Sequence, residues 1–581
     1  MDRGPARFGS DVIVDLLSGQ GIRHVALNPG ASFRGLHDSL VNRAGAPEII
    51  LVPHEKLAVN IAHGFAKASG RPMAAILHDT VGLLHGALGI LTAALDRAPL
   101  LVLGGAGPMD TARRRPWIDW LHTSSIQGNA VREYTKWDDQ PASIEALPEA
   151  FARARAVALT EPAGPVYLAL DADLQEQEVG GLVPGVDWAK AGPGSPMGAD
   201  PNALDLAAER LVAARRPVIV AAYAGRDQRA FDWIPELAEL LGAAIVDTND
   251  RLNAPTGHRL NMSGTDVLGE ADMVVLLDVK DASRVLLTAD PPARVSRSRM
   301  TDGCAVVDIG FNEHQVSAWV HDAGPALPMD ARITADTSVA LPQLIELVRD
   351  RVARDTRGRA TERETRRADL ARRHAEQRAA WRAVAEQRAT EQPISPTRLV
   401  ADVGAAIADR DWVLSAGTAN EWALRLWDID RADRHPGRSL GTATQIGISL
   451  GVALARRGSG QLVVDLQPDG DLLFDGAAPW IAAAHGIPLL VVMVNNRAYY
   501  NDWEHQIRMA EARGTDPARA HIGVRIDGPA VDFAMLARSF GWHAEGPIED
   551  PNAIQAAVRR AAAVVVDEGR PALVDVVTAH R

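Results

Sequence analysis

Asp469 and Asn496 are the residues of this 581-residue chain whose types and spacing most directly suggest chemistry. Asp469 lies just beyond a β-rich run, QLVVDL (461–466), where the chain breaks at Pro468-Asp469-Gly470-Asp471. Asn496 closes a second apolar run, PLLVVMVNN, 27 positions further on. A helix-compatible segment separates the two, so the stretch reads as strand–turn–helix–strand in a parallel sheet. Both polar residues then stand at the carboxyl ends of strands on one sheet edge, where open α/β sheets place ligands. A carboxylate, an amide oxygen and a nearby backbone carbonyl are hard oxygen ligands, suited to Mg²⁺ or Ca²⁺ holding a diphosphate. An ordinary βαβ crossover with an incidental DG turn would show the same pattern.

The whole stretch Gln461–Tyr500 resembles the thiamine diphosphate (ThDP) fingerprint, which starts Gly-Asp-Gly and ends Asn-Asn at about this spacing. The resemblance implies Asp469, the Asn496 side chain and the Ala498 carbonyl as Mg²⁺ ligands. It implies that Gly470 and Asp471 bring backbone amides to the phosphates, with Tyr499 beside the cofactor. Pro468 departs from the pattern, standing where the first Gly is usual. ThDP chemistry also needs a carboxyl group on the aminopyrimidine, in a dry cleft that tunes its pKa. Glu55 is the candidate, directly after the apolar strand EIILVP. Its segment, LVPHEKLAVNIAHGFAKASG, resembles that of ThDP decarboxylases and synthases, where a Glu precedes an A-D-G-Y/F-A-x-A-x-G helix. Ala62, Gly64, Phe65, Ala66, Ala68 and Gly70 match, while His63 replaces the usual Asp. Taken alone, Glu55 would be a helix N-terminal carboxylate favoured by the dipole.

His78 ends the next strand, in ILHDTVGLLHG, and so faces the same sheet edge. The segment resembles that of benzoylformate decarboxylase, LHSAAGTGN, and implies a His that shuttles protons to and from the reacting carbon. A capping or core role is the alternative; His54 and His85 are weaker candidates. NPGASFRG resembles the NPG loop of the same group and places Asn28, Gly30 and Ser32 at the cofactor and substrate, although a plain Pro-Gly turn would look alike. RRPWIDWLHTSSIQGNAVREYTKWDD resembles the acetolactate synthase segment carrying an active-site Gln, which maps to Gln127; Trp120 and His122 could equally be packing. SAGTANEW is a strand-to-helix turn with amides for phosphate, implying Gly417, Thr418 and Asn420 as contacts. In LGTATQIGISLGVALA, Thr442 or Ala443 replaces the bulky residue that usually supports the cofactor. Past the metal motif, Glu504 is the candidate base for a substrate hydroxyl, or else one of several charge pairs on a surface helix.

The elements that must position these residues alternate regularly. Residues 10–180 read as helix and strand in turn, which predicts a doubly wound parallel sheet. GGLVPGVDWAKAGPGSPMGADPN (180–202) is a Gly/Pro-rich linker. Strands PVIVAAY, AAIVDT, MVVLLDV, CAVVDIG and ARITAD predict a second α/β unit. Arg349–Arg388 is dense in Arg, Glu and Ala and predicts a solvated helix turning Leu370, Trp381 and Val384 inward. A third α/β unit follows. The expected architecture is three doubly wound parallel-sheet domains: pyrimidine-binding over 1–180, a Rossmann-like middle domain over 203–350, and diphosphate- and Mg²⁺-binding over 394–581. A charged helical connector over 351–393 joins the last two.

Composition fits a multidomain globular chain, with 47% hydrophobic and 23% charged residues. A net charge of −13 argues against a nucleic-acid partner and gives no reason to expect membrane binding. The single cysteine, Cys304, fits a reducing cytoplasm, and neither a signal peptide nor a membrane-spanning run is visible. Across nearly its whole length the chain resembles the acetolactate synthase, benzoylformate decarboxylase and oxalyl-CoA decarboxylase group. That implies ThDP- and Mg²⁺-dependent cleavage or formation of a C–C bond next to a carbonyl, in a dimer or tetramer whose sites join two subunits. A 2-oxo acid decarboxylase or carboligase is the favoured activity, and a 2-hydroxyacyl-CoA lyase releasing formyl-CoA and an aldehyde or ketone is the rival. Relatives acting on CoA thioesters often extend past the last strand as a lid, which a chain ending at His580-Arg581 lacks. A non-catalytic ThDP-binding regulator is the remote alternative. Nothing in GRDQRAFDW or NMSGTDVLG specifies FAD or ADP in the middle domain.

Overall fold

The computed structural model describes residues 5–115, 119–181, 183–290, 295–311, 314, 327–355, 359–438 and 441–580. Three parallel sheets organise them. The first contains β1 (His24–Leu27), β2 (Glu48–Leu51), β3 (Met73–Leu77), β4 (Leu100–Ala106), β5 (Asp138–Asp139) and β6 (Val166–Asp171), in the order β2-β1-β3-β4-β6-β5. The second contains β7 (Pro217–Ala221), β8 (Ala244–Asp247), β9 (Met273–Leu277), β12 (Ala305–Gly310) and β13 (Ala331–Thr334), ordered β13-β12-β9-β7-β8; β10 (Leu287–Asp290) and β11 (Val295–Ser298) form a separate antiparallel hairpin. The third contains β14 (Trp412–Leu414), β15 (Leu462–Pro468), β16 (Leu490–Asn495), β17 (His543–Ile548) and β18 (Ala572–Val577), ordered β14-β15-β16-β18-β17.

The central strands are apolar along their length because helices cover both faces. MAAIL in β3 is wholly buried, as is LVVMVN in β16 apart from half-buried Val494. β15 and β16 are parallel neighbours, so the residues that follow them emerge on one edge. The helix Glu55–Ser69 joins β2 to β3. His54 caps it, its Nδ1 accepting from the Lys56 amide, and Gly70 ends it in the left-handed region at φ 66°.

That helix packs backbone to backbone across the third sheet's helix Gln445–Arg456. A Cβ on Gly64 would lie 1.9 Å from the Ile448 carbonyl oxygen, and one on Gly451 would lie 2.1 Å from that of Ile61. Polar ties reinforce the seam. Lys56 Nζ meets Asp475 Oδ1 at 3.0 Å, the Leu51 amide donates to His485 Nε2 at 2.9 Å, and buried Lys67 donates to the carbonyls of Gly437 and Arg438.

The alternation read from the sequence gives the α/β class and its parallel sheets. The hairpin β10–β11, the two-residue strand β5 and the edge strand β17 are additions to it. The Arg-rich stretch contains a 29-residue helix, Arg359–Gln387, lined with Arg–Glu and Arg–Asp pairs. Of its three expected inward residues only Leu370 is buried; Trp381 and Val384 are half-buried, and Trp381 lies beneath the Arg425 guanidinium. Among the described residues no helix is long and apolar enough to cross a membrane.

Candidate active site

Asp469 begins a short helix, Asp469–Phe474, directly after β15, and Asn496 follows β16. The turn at 496–498 draws them together. Asp469 Oδ2 accepts the Arg497 amide at 2.5 Å, and Asn496 Oδ1 accepts the Ala498 amide at 3.0 Å. Arg497 sits in the left-handed region at φ 57°, a costly conformation for a side chain with a Cβ that the turn imposes. Burial pushes the Asp469 carboxyl up to about 6, against backbone amides that favour the ionised form. Among the described residues no Lys, Arg or His side chain pairs with it. A buried carboxylate short of positive charge, next to an amide oxygen and a turn carbonyl, has the chemistry of a hard-cation site. Gly470 completes the cradle, because a Cβ there would lie 2.6 Å from the Tyr499 ring. These residues fit a Mg²⁺–diphosphate.

Other expected diphosphate contacts are engaged inside the protein. Asp471 accepts the Ala443 amide with one oxygen and the Gln445 amide at 3.3 Å with the other. Its side chain therefore pins the loop before the Gln445–Arg456 helix. The Thr418 amide and hydroxyl both donate to Gln445 Oε1, at 2.9 and 2.8 Å, and Gln445 Nε2 in turn donates to Asp465 and the Leu466 carbonyl. Gly417 is buried beside them. Asn420 faces buried His435, whose Nδ1 meets the Leu414 carbonyl, so that His435 Nε2 accepts the Asn420 amide at 3.2 Å.

Glu55 is buried at the head of its helix, and Oε2 meets His85 Nδ1 at 3.1 Å. Oε1 lies over Gly82, where a Cβ would be only 2.8 Å away. His54 stacks on His85, with ring centroids 4.9 Å apart. His78 leaves β3 at the same edge. Its Nδ1 meets the hydroxyl of fully buried Ser32 at 2.9 Å and its Nε2 meets His122 Nδ1 at 3.2 Å. Gly30 lies against the His78 ring, where a Cβ would be 2.4 Å from Cγ. Burial, aided by neighbouring His122, depresses the His78 pKa and favours the neutral ring. Asp79, buried beside it at φ 45°, is pushed up to about 6 by burial.

Asn28 bridges two strand ends, donating to the Val52 carbonyl at 2.9 Å. Gln127 is buried, its Nε2 donating to the Gly105 carbonyl and its Oε1 accepting from Thr80. Glu504 lies on the helix Tyr500–Arg513, which has no buried residue, 3.7 Å from Arg508. Tyr499 stands just before that helix, beside Phe474.

The structure thus gathers Glu55, His78, Ser32 and Gly30 on one edge, and Asp469, Asn496, Ala498, Gly470 and Tyr499 on another. Two contributors, Gln445 and His580, escaped the sequence reading, and a third, His122, stood there only as a residue that could equally be packing. Gln445 carries no motif beyond being polar at a helix start. His580, near the chain end, stacks on Tyr500 at 4.7 Å and edges onto Trp503, walling the turn after Asn496.

Comparison with known proteins bears on this geometry. Residues 7–129 match the family described as "Thiamine pyrophosphate enzyme, N-terminal TPP binding domain", and residues 415–576 match its C-terminal TPP binding domain. The chain is 25% identical over 610 residues to "Probable acetolactate synthase 2, chloroplastic" of Oryza sativa subsp. japonica, covering 99% of this chain and 83% of that one. It is 26% identical over 521 residues to benzoylformate decarboxylase of Pseudomonas aeruginosa, covering 85% and 86%. The crystal structure of benzoylformate decarboxylase from Polynucleobacter necessarius superposes with a TM-score of 0.76 at 19% identity, covering 98% of this chain and 99% of that one. With both edges built as cofactor-binding domains and both domains matched, the chain belongs to the thiamine pyrophosphate enzymes and acts in carbon–carbon bond chemistry.

Proposed function

We propose that the protein is a Mg²⁺-dependent 2-oxo acid decarboxylase or carboligase whose sites form between two copies of the chain. The observation that carries this reading is the His78–Ser32 pair on the same edge as Glu55, a proton-transferring histidine beside a buried carboxyl group. Bound thiamine diphosphate supplies the carbanion and electron sink that let a bond next to a carbonyl break. The chain's residues do the rest. Asp469, Asn496 and the Ala498 carbonyl hold Mg²⁺, while Gly470 and Gly417 line the diphosphate; Thr418 and Asn420, tied to Gln445 and His435, shape the loop around it. Glu55 faces the cofactor with Oε1, since His85 holds Oε2. His78, held at Nδ1 by Ser32, moves a proton through Nε2, the nitrogen that meets His122 Nδ1. Asn28 and Gly30 border the reacting centre.

Two exposed apolar surfaces support assembly. Next to the Glu55 edge, Leu84, Leu88, Trp120 and Leu121 face outward, and Leu473 and Phe474 do so next to the Asp469 edge. The same-chain contact between the two cofactor domains is already used by the glycine seam, leaving these surfaces for a second copy.

The test is a product screen with ThDP and Mg²⁺, offering pyruvate, benzoylformate and a 2-hydroxyacyl-CoA. Release of CO₂ supports the reading, and acyloin alongside it shows carboligation. Formyl-CoA with an aldehyde or ketone would make the protein a lyase instead and turn attention to Glu504.

A further inference from the structure

We propose that His78, Asp79 and His122 form a binding site for a borderline-soft divalent cation of the Zn²⁺ class, separate from the oxygen site at Asp469. The nitrogens His78 Nε2 and His122 Nδ1 face each other at 3.2 Å, with the rings perpendicular. Two nitrogens bound to one tetrahedral Zn²⁺ at about 2.0–2.1 Å each stand about 3.3 Å apart. The observed pair already has that separation. The carboxylate of Asp79 joins the group: one ligand atom from each of the three residues lies within 4.8 Å of the others, and Asp79 Oδ2 stands 3.8 Å from His78 Nδ1.

Three features distinguish this cluster from an incidental pair of histidines. His78 Nδ1 is held by the Ser32 hydroxyl at 2.9 Å, and Ser32 is fully buried. That is how metal-binding histidines are commonly oriented, with the far nitrogen tied to a polar partner and the near lone pair left for the ion. Asp79 is 1% exposed and receives one hydroxyl donor, Thr123 Oγ1 at 3.2 Å. Among the described residues it has no Lys or Arg within ion-pair range, and the basic group that does come within it, the His78 ring with Nδ1 at 3.8 Å, is held toward its neutral form by burial. The nearby guanidinium of Arg115 is tied to Asp119 and the Ala31 carbonyl, each at 2.7 Å. A buried carboxylate in that position lacks positive charge, and a cation bridging it to His78 and His122 would supply it. Finally, Asp79 is held at φ 45°, a conformation sparsely used by residues with a Cβ.

Two nitrogens and one carboxylate select Zn²⁺, Co²⁺ or Ni²⁺ over Mg²⁺, which prefers oxygen. Three protein ligands leave a fourth position open to water or substrate. On the functional reading above, an ion here takes the His78 lone pair and suppresses turnover; the binding test does not depend on that reading.

The experiment uses the full chain stripped of metal with EDTA and titrated with ZnCl₂ by calorimetry in excess Mg²⁺, which occupies the oxygen site. One Zn²⁺ per chain is expected. His122→Ala should weaken it by about 100-fold or more, and Asp79→Asn by at least about 10-fold. Asp469→Asn and His85→Ala should leave it unchanged. Unaltered Zn²⁺ affinity in His122→Ala would overturn the proposal. So would loss confined to His85→Ala, which would assign the ion to His54, Glu55 and His85. X-ray absorption at the zinc edge of the wild-type complex gives a check that needs no variant. Imidazole scattering is expected, and an all-oxygen shell refutes the site.

Discussion

Replacing Gly64 with alanine tests whether the glycine seam sets the position of Glu55. The added methyl would lie 1.9 Å from the Ile448 carbonyl oxygen and 2.7 Å from its carbon. Both are backbone atoms of a buried helix, so no side-chain rotation relieves the clash. An ordinary contact begins near 3.4 Å, and the two helices must therefore separate by more than about 1 Å in an interior packed at crystal density. Overpacking of this kind typically costs about 1–3 kcal/mol, and the rigid neighbours put this case at the upper end. Alanine regains about 1 kcal/mol over glycine in a helix interior. The net expectation is a loss of about 2 kcal/mol, roughly thirtyfold in the folded-to-unfolded ratio. Urea unfolding followed by tryptophan fluorescence measures it. Gly35→Ala is the control, because a Cβ there would meet nothing nearer than Gln175 Cβ and Glu176 Cγ at 3.3 Å, a tight contact that a shift of a few tenths of an ångström relieves. That variant should change stability by less than about 1 kcal/mol. Thiamine diphosphate affinity should fall in Gly64→Ala alone, since Glu55 heads one helix of the seam and Gln445 heads the other. If both variants unfold at the same urea concentration, the reasoning fails.

Other outcomes follow from the same geometry. Glu55→Gln should keep thiamine diphosphate binding, read by calorimetry, while turnover drops by about 10²–10⁴-fold; unchanged turnover would remove Glu55 from the reaction. Gly30→Ala would put a methyl 2.4 Å from His78 Cγ and 2.6 Å from its Cβ, displacing the ring from Ser32, so turnover should fall further than the loss of stability accounts for, read by comparing kcat with the melting temperature. Gly470→Ala, crowding Tyr499 at 2.6 Å, should weaken thiamine diphosphate binding more than it weakens folding. Burial opposes ionisation of Asp278, but the guanidinium groups of Arg226 and Arg97 outweigh it and hold the carboxyl at about 2. Because the folded pKa is depressed, the stabilisation is complete above about pH 4 and is lost as pH falls toward 2. Asp278→Asn should therefore be destabilised by about 3–5 kcal/mol at neutral pH and show a flatter acid limb in pH-dependent urea melts.

The sequence carried the parts of this molecule that depend on local pattern. Apolar runs such as MAAIL and PLLVVMV are long enough and pure enough to be buried strands, and the helices between them start and stop at recognisable residues such as Glu55 and Gly70. Strand ends then point to candidate chemistry, because the strands of a buried parallel sheet are apolar along their length and polar residues gather where they end; this is why Asp469, Asn496, Glu55 and His78 stand out as candidates in the sequence alone. What escaped were interactions whose partners are distant in the chain. Thr418 offered a free-looking amide until Gln445, 27 residues later, took it. Gln127 resembled a substrate contact, yet Gly105 and Thr80 occupy its amide. His122 gained meaning only when folding set it 3.2 Å from His78, 44 residues earlier. The glycines show the difference most sharply. Gly64 looked like part of a helix signature, whereas its physical reason is the Ile448 carbonyl 384 positions away. A motif that recurs in a family can thus mark a packing contact as readily as a catalytic one, and coordinates distinguish them by showing what a Cβ would strike.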